Sequence, residues 1–251
     1  MNSGGFVPLT PRTEVRGPRA GTAHHLLRAL HVKLQGLLFD IDGTLVDSND
    51  HHVRCWIEAF AHFDKHFDSE LIRHQIGKGG DLLVPDVLNA KEMREFGDAV
   101  KKYRTKLYKE KYMEEVKPFP FVERLFEALR AKKIRLALAS SSNEDEVEYY
   151  TRLLNAQEFI EGSTSKSDAK FSKPSPEIFE AALERAGSDP KFTFAVGDTP
   201  YDILAAHRMA MPIIAVLSGG FERNLLAKSE FVLNDAGEIP GNFDEIEAWF
   251  E

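Results

Sequence analysis

Thiols are almost missing from this chain: one cysteine, Cys55, stands among 251 residues. It cannot form an intramolecular disulfide and has no partner at ligand spacing. Cys55 therefore reads as a small packed hydrophobe, in a chain suited to a reducing, cytoplasmic compartment. Long apolar runs are missing too, and nothing approaches the ~18–20 residues of a membrane span. Positive charge is in short supply, with a formal net charge of -8, which argues against a nucleic-acid or anionic-membrane partner. What remains is ordinary globular material, 43% hydrophobic and 29% charged, long enough for one large domain or a core with an insertion.

Acids are scarce in one place only. Between Met1 and Lys33 the sole carboxylate side chain is Glu14, while Gly, Pro, Thr and Arg are frequent. Pro8, Pro11 and Pro18 break any amphipathic helix before His24, so residues 1–33 read as a disordered or appended tail rather than a transit segment.

The chain is organised around Leu37–Ser48. A short apolar run, Leu37 to Phe39, reads as a buried strand and ends in two carboxylates, Asp40 and Asp42, before Gly43. Alternation sets both carboxylates on one side of the extended chain, where they repel unless a proton or a cation intervenes. Some 70 helical residues follow. Ser48 is an expected N-cap, and Val53, Trp56, Ile57 and Phe60 form an apolar stripe. The segment Ile76–Asp81, rich in glycine, interrupts the helical pattern, and a charged helix is expected from about Ala90 to Glu115. His62 and His66, four apart, read as a solvated face rather than a metal pair. Pro118 and Pro120 mark the return to strands.

Beyond them helices and strands alternate: strands at Ile134–Ala139, near Phe159–Ile160, and at Phe192–Val196, Ile213–Leu217 and Glu230–Leu233. Between them lie helices opening after Asn143, at Ser175-Pro176 and at Asp202. Alternation of this kind means right-handed βαβ units and a parallel sheet covered on both faces. The expected fold is α/β, a Rossmann-like parallel sheet core (34–46 and 118–251) with an inserted α-helical cap (47–117).

Chemistry-bearing residues recur at strand ends or in the loops after them. Ser140 follows the second strand, Lys173 lies in a proline-stiffened loop, and Gly197-Asp198 with Asp202 follows the fourth strand. Four aspartates with one lysine leave about three uncompensated negative charges, prohibitive to bury without a divalent cation. All-oxygen donors suit a hard ion, Mg²⁺ first. A metal, a lysine, a hydroxyl and helix N-terminal N–H groups together make a receptor for a phosphoryl group.

These residues, in this order, resemble the haloacid dehalogenase superfamily, in particular its phosphatases with a helical cap after the first strand. The resemblance covers roughly Leu34–Glu251. It implies that Asp40 is the nucleophile and Asp42 the general acid/base. It makes Asp40, Asp198 and the backbone carbonyl of Asp42 ligands of Mg²⁺, with Asp202 supporting the metal shell. It makes Ser140, Lys173 and Thr44 the phosphate-binding groups, and it draws Lys78, Gly79 and His52 into substrate specificity. Asp42 is expected to carry a raised pKa, so as to hold a proton part of the time. A carboxylate at position 42 favours ester hydrolysis or a phosphomutase over dehalogenation or ATP-driven transport. Lys78, set among glycines, reads as part of a specificity loop rather than as a phosphonate-cleaving lysine.

The leading expectation is a Mg²⁺-dependent phosphatase of a small soluble phosphate ester, a sugar phosphate or a phosphoglycolate-like acid, acting through an aspartyl-phosphate. A β-phosphoglucomutase-type mutase is the alternative. A phospho-receiver domain shares the Asp, hydroxyl and lysine chemistry but neither the long helical insert nor the Asp-x-Asp-Gly-Thr arrangement. Monomer and dimer both stay open.

Overall fold

Strand β1, Gly36–Phe39, is buried along its whole length, and its alternation sends side chains to opposite faces. Leu37 and Phe39 join one apolar cluster with Leu125, Phe126 and Leu129, while Leu38 joins another with Ala137, Ile178 and Phe179. A strand apolar on both faces has helices above and below it. The computed structural model describes residue 1 and residues 34–250; residues 2–33 of the expected tail lie outside the described residues.

The chain leaves β1 through a tight loop into β2, Val46–Asp47, and then passes into helices. These are α1 (Asn49–Ala61), α2 (Ser69–Arg73) and α3 (Gly80–Val87). The expected helix from about Ala90 is present but irregular: α4 is Asp98–Leu107, and Met93–Gly97 and Tyr108–Tyr112 on either side wind as π-helix. The segment has its own apolar cluster, including Val53, Trp56, Phe60, Leu83, Val84 and Val100. It returns through β3, Lys117–Pro118, which pairs antiparallel with β2, Val46 opposite Pro118. Chain entry and exit therefore lie side by side.

The remainder alternates as α5 (Val122–Ala131), β4 (Arg135–Ala139), α6 (Glu144–Leu153), β5 (Gly162–Thr164), α7 (Glu177–Ala186), β6 (Thr193–Gly197), α8 (Pro200–Arg208), β7 (Ile213–Val216), β8 (Phe231–Leu233) and α9 (Phe243–Ala248). The third strand of the sheet begins at Gly162, not at the expected Phe159–Ile160. Those two residues instead pack against the core at the end of a 3₁₀ turn. Gly187, at φ 60°, closes α7 in the left-handed conformation. All six sheet strands are parallel in the order β5-β4-β1-β6-β7-β8. Chain direction of the connections reverses between β1 and β6, and the crevice beyond the strand ends at such a switch is where α/β sheets bind ligands.

Candidate active site

Asp40 is the first residue beyond β1, and its N–H donates to the Val196 carbonyl of β6 at 2.8 Å, so strand register fixes its position. Ser140 and Asp198 occupy the matching places beyond β4 and β6. Gly43, at φ +71°, turns the chain just past Asp42; a Cβ there would lie 2.4 Å from both Asn49 Nδ2 and Asp198 Oδ2. That turn must be glycine on both counts.

Lys173 is the hub of the buried charges. Its Nζ donates to Asp40 Oδ1 at 2.6 Å and to the Ala139 carbonyl at 2.8 Å, and lies 2.8 Å from Asp202 Oδ1. Asp202 opens α8 in a reciprocal cap: Thr199 N–H and Oγ1–H donate to its Oδ2, while Thr199 Oγ1 accepts from Asp202 N–H. Asp202 therefore stands behind the lysine, and Thr44 stands behind Asp198, its hydroxyl 3.4 Å from Asp198 Oδ1. Neither lines the cavity, whose walls include Asp40, Asp42, His52, Lys78, Gly79, Ser140, Lys173 and Asp198. The Thr44 hydroxyl thus faces a carboxylate rather than the space where phosphate binding was expected of it.

Carboxylate oxygens of Asp40, Asp198 and Asp202 all lie within 4.8 Å of one another, the one such cluster among the described residues. Burial raises the Asp40 pKa to about 7, with Asp202 and Asp42 adding to the rise against the pull of Lys173. Burial, with the charges of Asp202 and Asp40, holds Asp198 well above the usual carboxylate range. For Lys173, burial opposes the charge, yet Asp202 and Asp40 outweigh it and raise the pKa. Two carboxyls driven up by burial and mutual repulsion, with all-oxygen donors, fit a hard divalent cation. The His62 ring stacks on Tyr103 with centroids 4.0 Å apart.

Asp42 departs from expectation. Burial would raise its pKa, but the His52 ring and hydrogen bonds from His52, Ser48 and Ser142 outweigh that and hold it below the usual range. His52 Nε2 lies 2.8 Å and Ser48 Oγ 2.6 Å from Asp42 Oδ1, and Ser142 Oγ lies 3.0 Å from Oδ2. Ser48 is the N-cap residue of α1, yet its hydroxyl serves Asp42 rather than the helix end. The carboxylates of Asp202 and Asp42 raise the pKa of Asp40 instead.

Arg104 of α4 extends this chain of contacts, its Nη2 2.5 Å from His52 Nδ1 and its Nη1 3.6 Å from Oε1 of the buried Glu146 on α6. A guanidinium only donates, so His52 Nδ1 accepts and Nε2 carries the hydrogen that is given to Asp42. Asn49, whose Nδ2 donates to Asp198 Oδ2 at 2.8 Å, completes the set not anticipated from sequence: Asn49, Arg104, Ser142 and Glu146. Only the Thr199–Asp202 cap had a readable signal, a threonine three residues before an acid.

Lys78 and Gly79 line the cavity, but the Lys78 ammonium donates to Gln75 Oε1 at 2.6 Å and to Asp86, and lies over the Tyr201 ring. Its hydrogen bonds stay within its own segment, while its ring contact is to α8. Gly79 admits Ser172, since a Cβ there would lie 2.0 Å from Ser172 Oγ. Asp81 beside it accepts from Ser172 Oγ at 2.6 Å, which joins the helical segment to the loop carrying Lys173. Cys55 is buried, its Sγ 3.5 Å from the Arg104 carbonyl oxygen, and its thiol is pushed up to about 12 by burial.

Residues 37–216 match the model of the haloacid dehalogenase-like hydrolases. The chain belongs to that family. Among similar proteins, the pyrophosphatase PpaX of Oceanobacillus iheyensis is 25% identical over 83% of this chain and 96% of its own length. A phosphoglycolate phosphatase of Aquifex aeolicus is 27% identical over 75% of this chain and 87% of its own. A hydrolase from Pseudomonas syringae of known structure superposes with a TM-score of 0.78 at 25% identity, over 85% of this chain and 99% of that one. As a haloacid dehalogenase-like hydrolase, the chain carries its acidic cluster inside the matched span. No described helix is long and apolar enough to cross a membrane.

Proposed function

We propose that the protein is a Mg²⁺-dependent phosphatase of a small phosphate monoester, and that residues 47–117 act as a cap over a catalytic core formed by 34–46 and 118–251. The observation that carries this reading is the placement of Asp40: a carboxylate at the strand switch, touching Lys173 and clustered with Asp198 and Asp202. The phosphatase and pyrophosphatase names of its relatives agree with it.

In this reading an Asp40 oxygen attacks phosphorus in line, the bond from phosphorus to the leaving oxygen breaks, and an aspartyl-phosphate forms on Asp40. Asp42 gives the departing oxygen its proton and later takes one from the water that hydrolyses the intermediate. The low pKa of Asp42 leaves it unprotonated and a weak base; a phosphate dianion arriving beside it raises its proton affinity for both halves. Lys173, oriented by Asp202, neutralises charge on the equatorial oxygens, and Ser140 offers a hydroxyl from the β4 loop. Asp40, Asp198 and the Asp42 carbonyl would hold Mg²⁺, which when bound supplies further neutralisation of phosphoryl charge. His52, set by Arg104, holds the Asp42 carboxylate in position.

The test is phosphate release from a panel of monoesters with Mg²⁺ and after chelation. Release that chelation does not diminish would overturn the metal dependence, and no release from any ester would overturn the reading.

A further inference from the structure

We propose that Asn49, the first residue of α1, is a positioning residue of the metal centre: it holds Asp198 in one orientation for the ion and offers its own carbonyl oxygen to a water of the ion's shell. This deepens the phosphatase reading at its Mg²⁺ site and rests on it.

The end of β6 fixes the backbone of Asp198 but not its carboxylate, which can still turn about its last bond. Asn49 reaches it from the helical segment. The side chain is buried, and its Nδ2 donates to Asp198 Oδ2 at 2.8 Å and to the Gly219 carbonyl at 2.9 Å. Two acceptors on one atom identify that atom as the nitrogen, since the reverse setting of the amide would press its oxygen against two others. Asp198 Oδ2 has little room to leave, because a Cβ on either Gly43 or Gly219 would collide with it. Ser218 Oγ donates to the Gly43 carbonyl at 2.7 Å, which ties these two walls together. The other oxygen, Asp198 Oδ1, has the Thr44 hydroxyl at 3.4 Å, longer than a good O–H···O bond. It keeps its lone pairs for a cation.

The second half of the amide points the same way. Asn49 Oδ1 is buried, and no donor among the described residues reaches it. Asn49 nevertheless lines the cavity together with Asp40, Asp42 and Asp198. A buried acceptor without a donor is costly, and Mg²⁺ keeps several of its waters when bound, each a donor. An amide serves both needs at once, giving hydrogens to the carboxylate through nitrogen and accepting one through oxygen. Alanine serves neither.

The experiment titrates Mg²⁺ alone into the metal-free full chain by calorimetry, comparing wild type with Asn49→Ala and Asn49→Ser, and records the melting temperature of each protein with and without Mg²⁺. Both variants should bind Mg²⁺ about tenfold or more weakly, the usual scale for removing a partner of a metal ligand. The rise in melting temperature at a fixed Mg²⁺ concentration should shrink with it. Serine keeps a polar group at the helix start and carries the test if the alanine variant does not fold. A folded variant of either kind that binds Mg²⁺ within about twofold of wild type overturns the inference and leaves the phosphatase reading intact; a lowered melting temperature beside it would make Asn49 a pin for the loop after β7. Variants that stay unfolded even with Mg²⁺ would likewise assign Asn49 to the fold rather than to the ion. A wild-type chain that binds no Mg²⁺ removes the metal-dependent reading and the inference together.

Discussion

Asp40 and Asp198 sit at the ends of β1 and β6, two strands whose register ties them to each other. Lys101 and Arg104 sit on α4, a helix that runs into π-helical turns at both ends. The first pair is placed by backbone hydrogen bonds that any sequence forming those strands would make. The second is placed by how one helix happens to pack on another, and a one-residue change in winding turns each side chain through roughly 100°. A site assembled in this way has a floor fixed by strand register and a roof set by helix packing. The proposed function assigns chemistry to the floor and choice of substrate to the roof.

The comparison breaks most sharply at Asp40. Asp40→Asn keeps the shape of the side chain and removes the nucleophile, so turnover should fall on the order of 10⁴-fold or more with the melting temperature retained. Wild-type-like phosphate release from a folded variant would refute the assignment. Asp198→Asn should raise the Mg²⁺ needed for half-maximal rate by roughly tenfold or more, because a charged ligand is lost. A Mg²⁺ titration identical to wild type would remove Asp198 from the metal shell.

The roof answers differently. Arg104→Ala leaves Glu146 buried without its cation and His52 without its orienting donor. It should cost up to about 3–5 kcal/mol of stability and lower kcat about tenfold, read by denaturant unfolding and steady-state kinetics. A variant with full stability and full kcat would show that the guanidinium is incidental.

These predictions also separate what could be read from the sequence from what could not. Asp40, Asp42, Lys173, Asp198 and Asp202 are brought together as anticipated, because strand alternation and parallel topology leave little freedom at a strand end. Asn49, Arg104 and Glu146 were not anticipated. Arg104 is one basic residue in Lys101-Lys102-Tyr103-Arg104, and nothing in that run says which side chain is buried. The pKa of Asp42 is lowered rather than raised for the same reason: the sequence contains its partners His52 and Ser48 but does not show where their side chains point.

A smaller effect concerns pH. Without metal, Asp40 has its pKa raised from 3.8 to about 7. The folded state then binds more protons than the unfolded state between those values. That contribution to stability is full below pH 3.8 and is lost as pH rises through about 7. Mg²⁺ should therefore raise the melting temperature by more at pH 8 than at pH 5.5, a difference of a few degrees in a thermal scan. Equal shifts at both pH values would exclude Asp40 from the coupled set. The smallest expected effect is from the N-terminal segment: a chain beginning at Lys33 should match the full chain in melting temperature and activity, and a large loss in either would mean that the segment contributes to the fold.

Strand β1 lies in the middle of the sheet, yet its two neighbours come late in the chain: Gly36 pairs with Arg135 on one side and with Thr193 on the other. During synthesis the ribosome releases this apolar strand first and must then complete the whole helical insertion before either partner emerges. Because Val46 and Pro118 lie side by side, the insertion can collapse on its own apolar cluster and bring the chain back to where it left, shortening the loop that the sheet has to close. The cap would then serve the nascent protein before it serves the substrate, keeping the first strand and its distant partners within reach of one another.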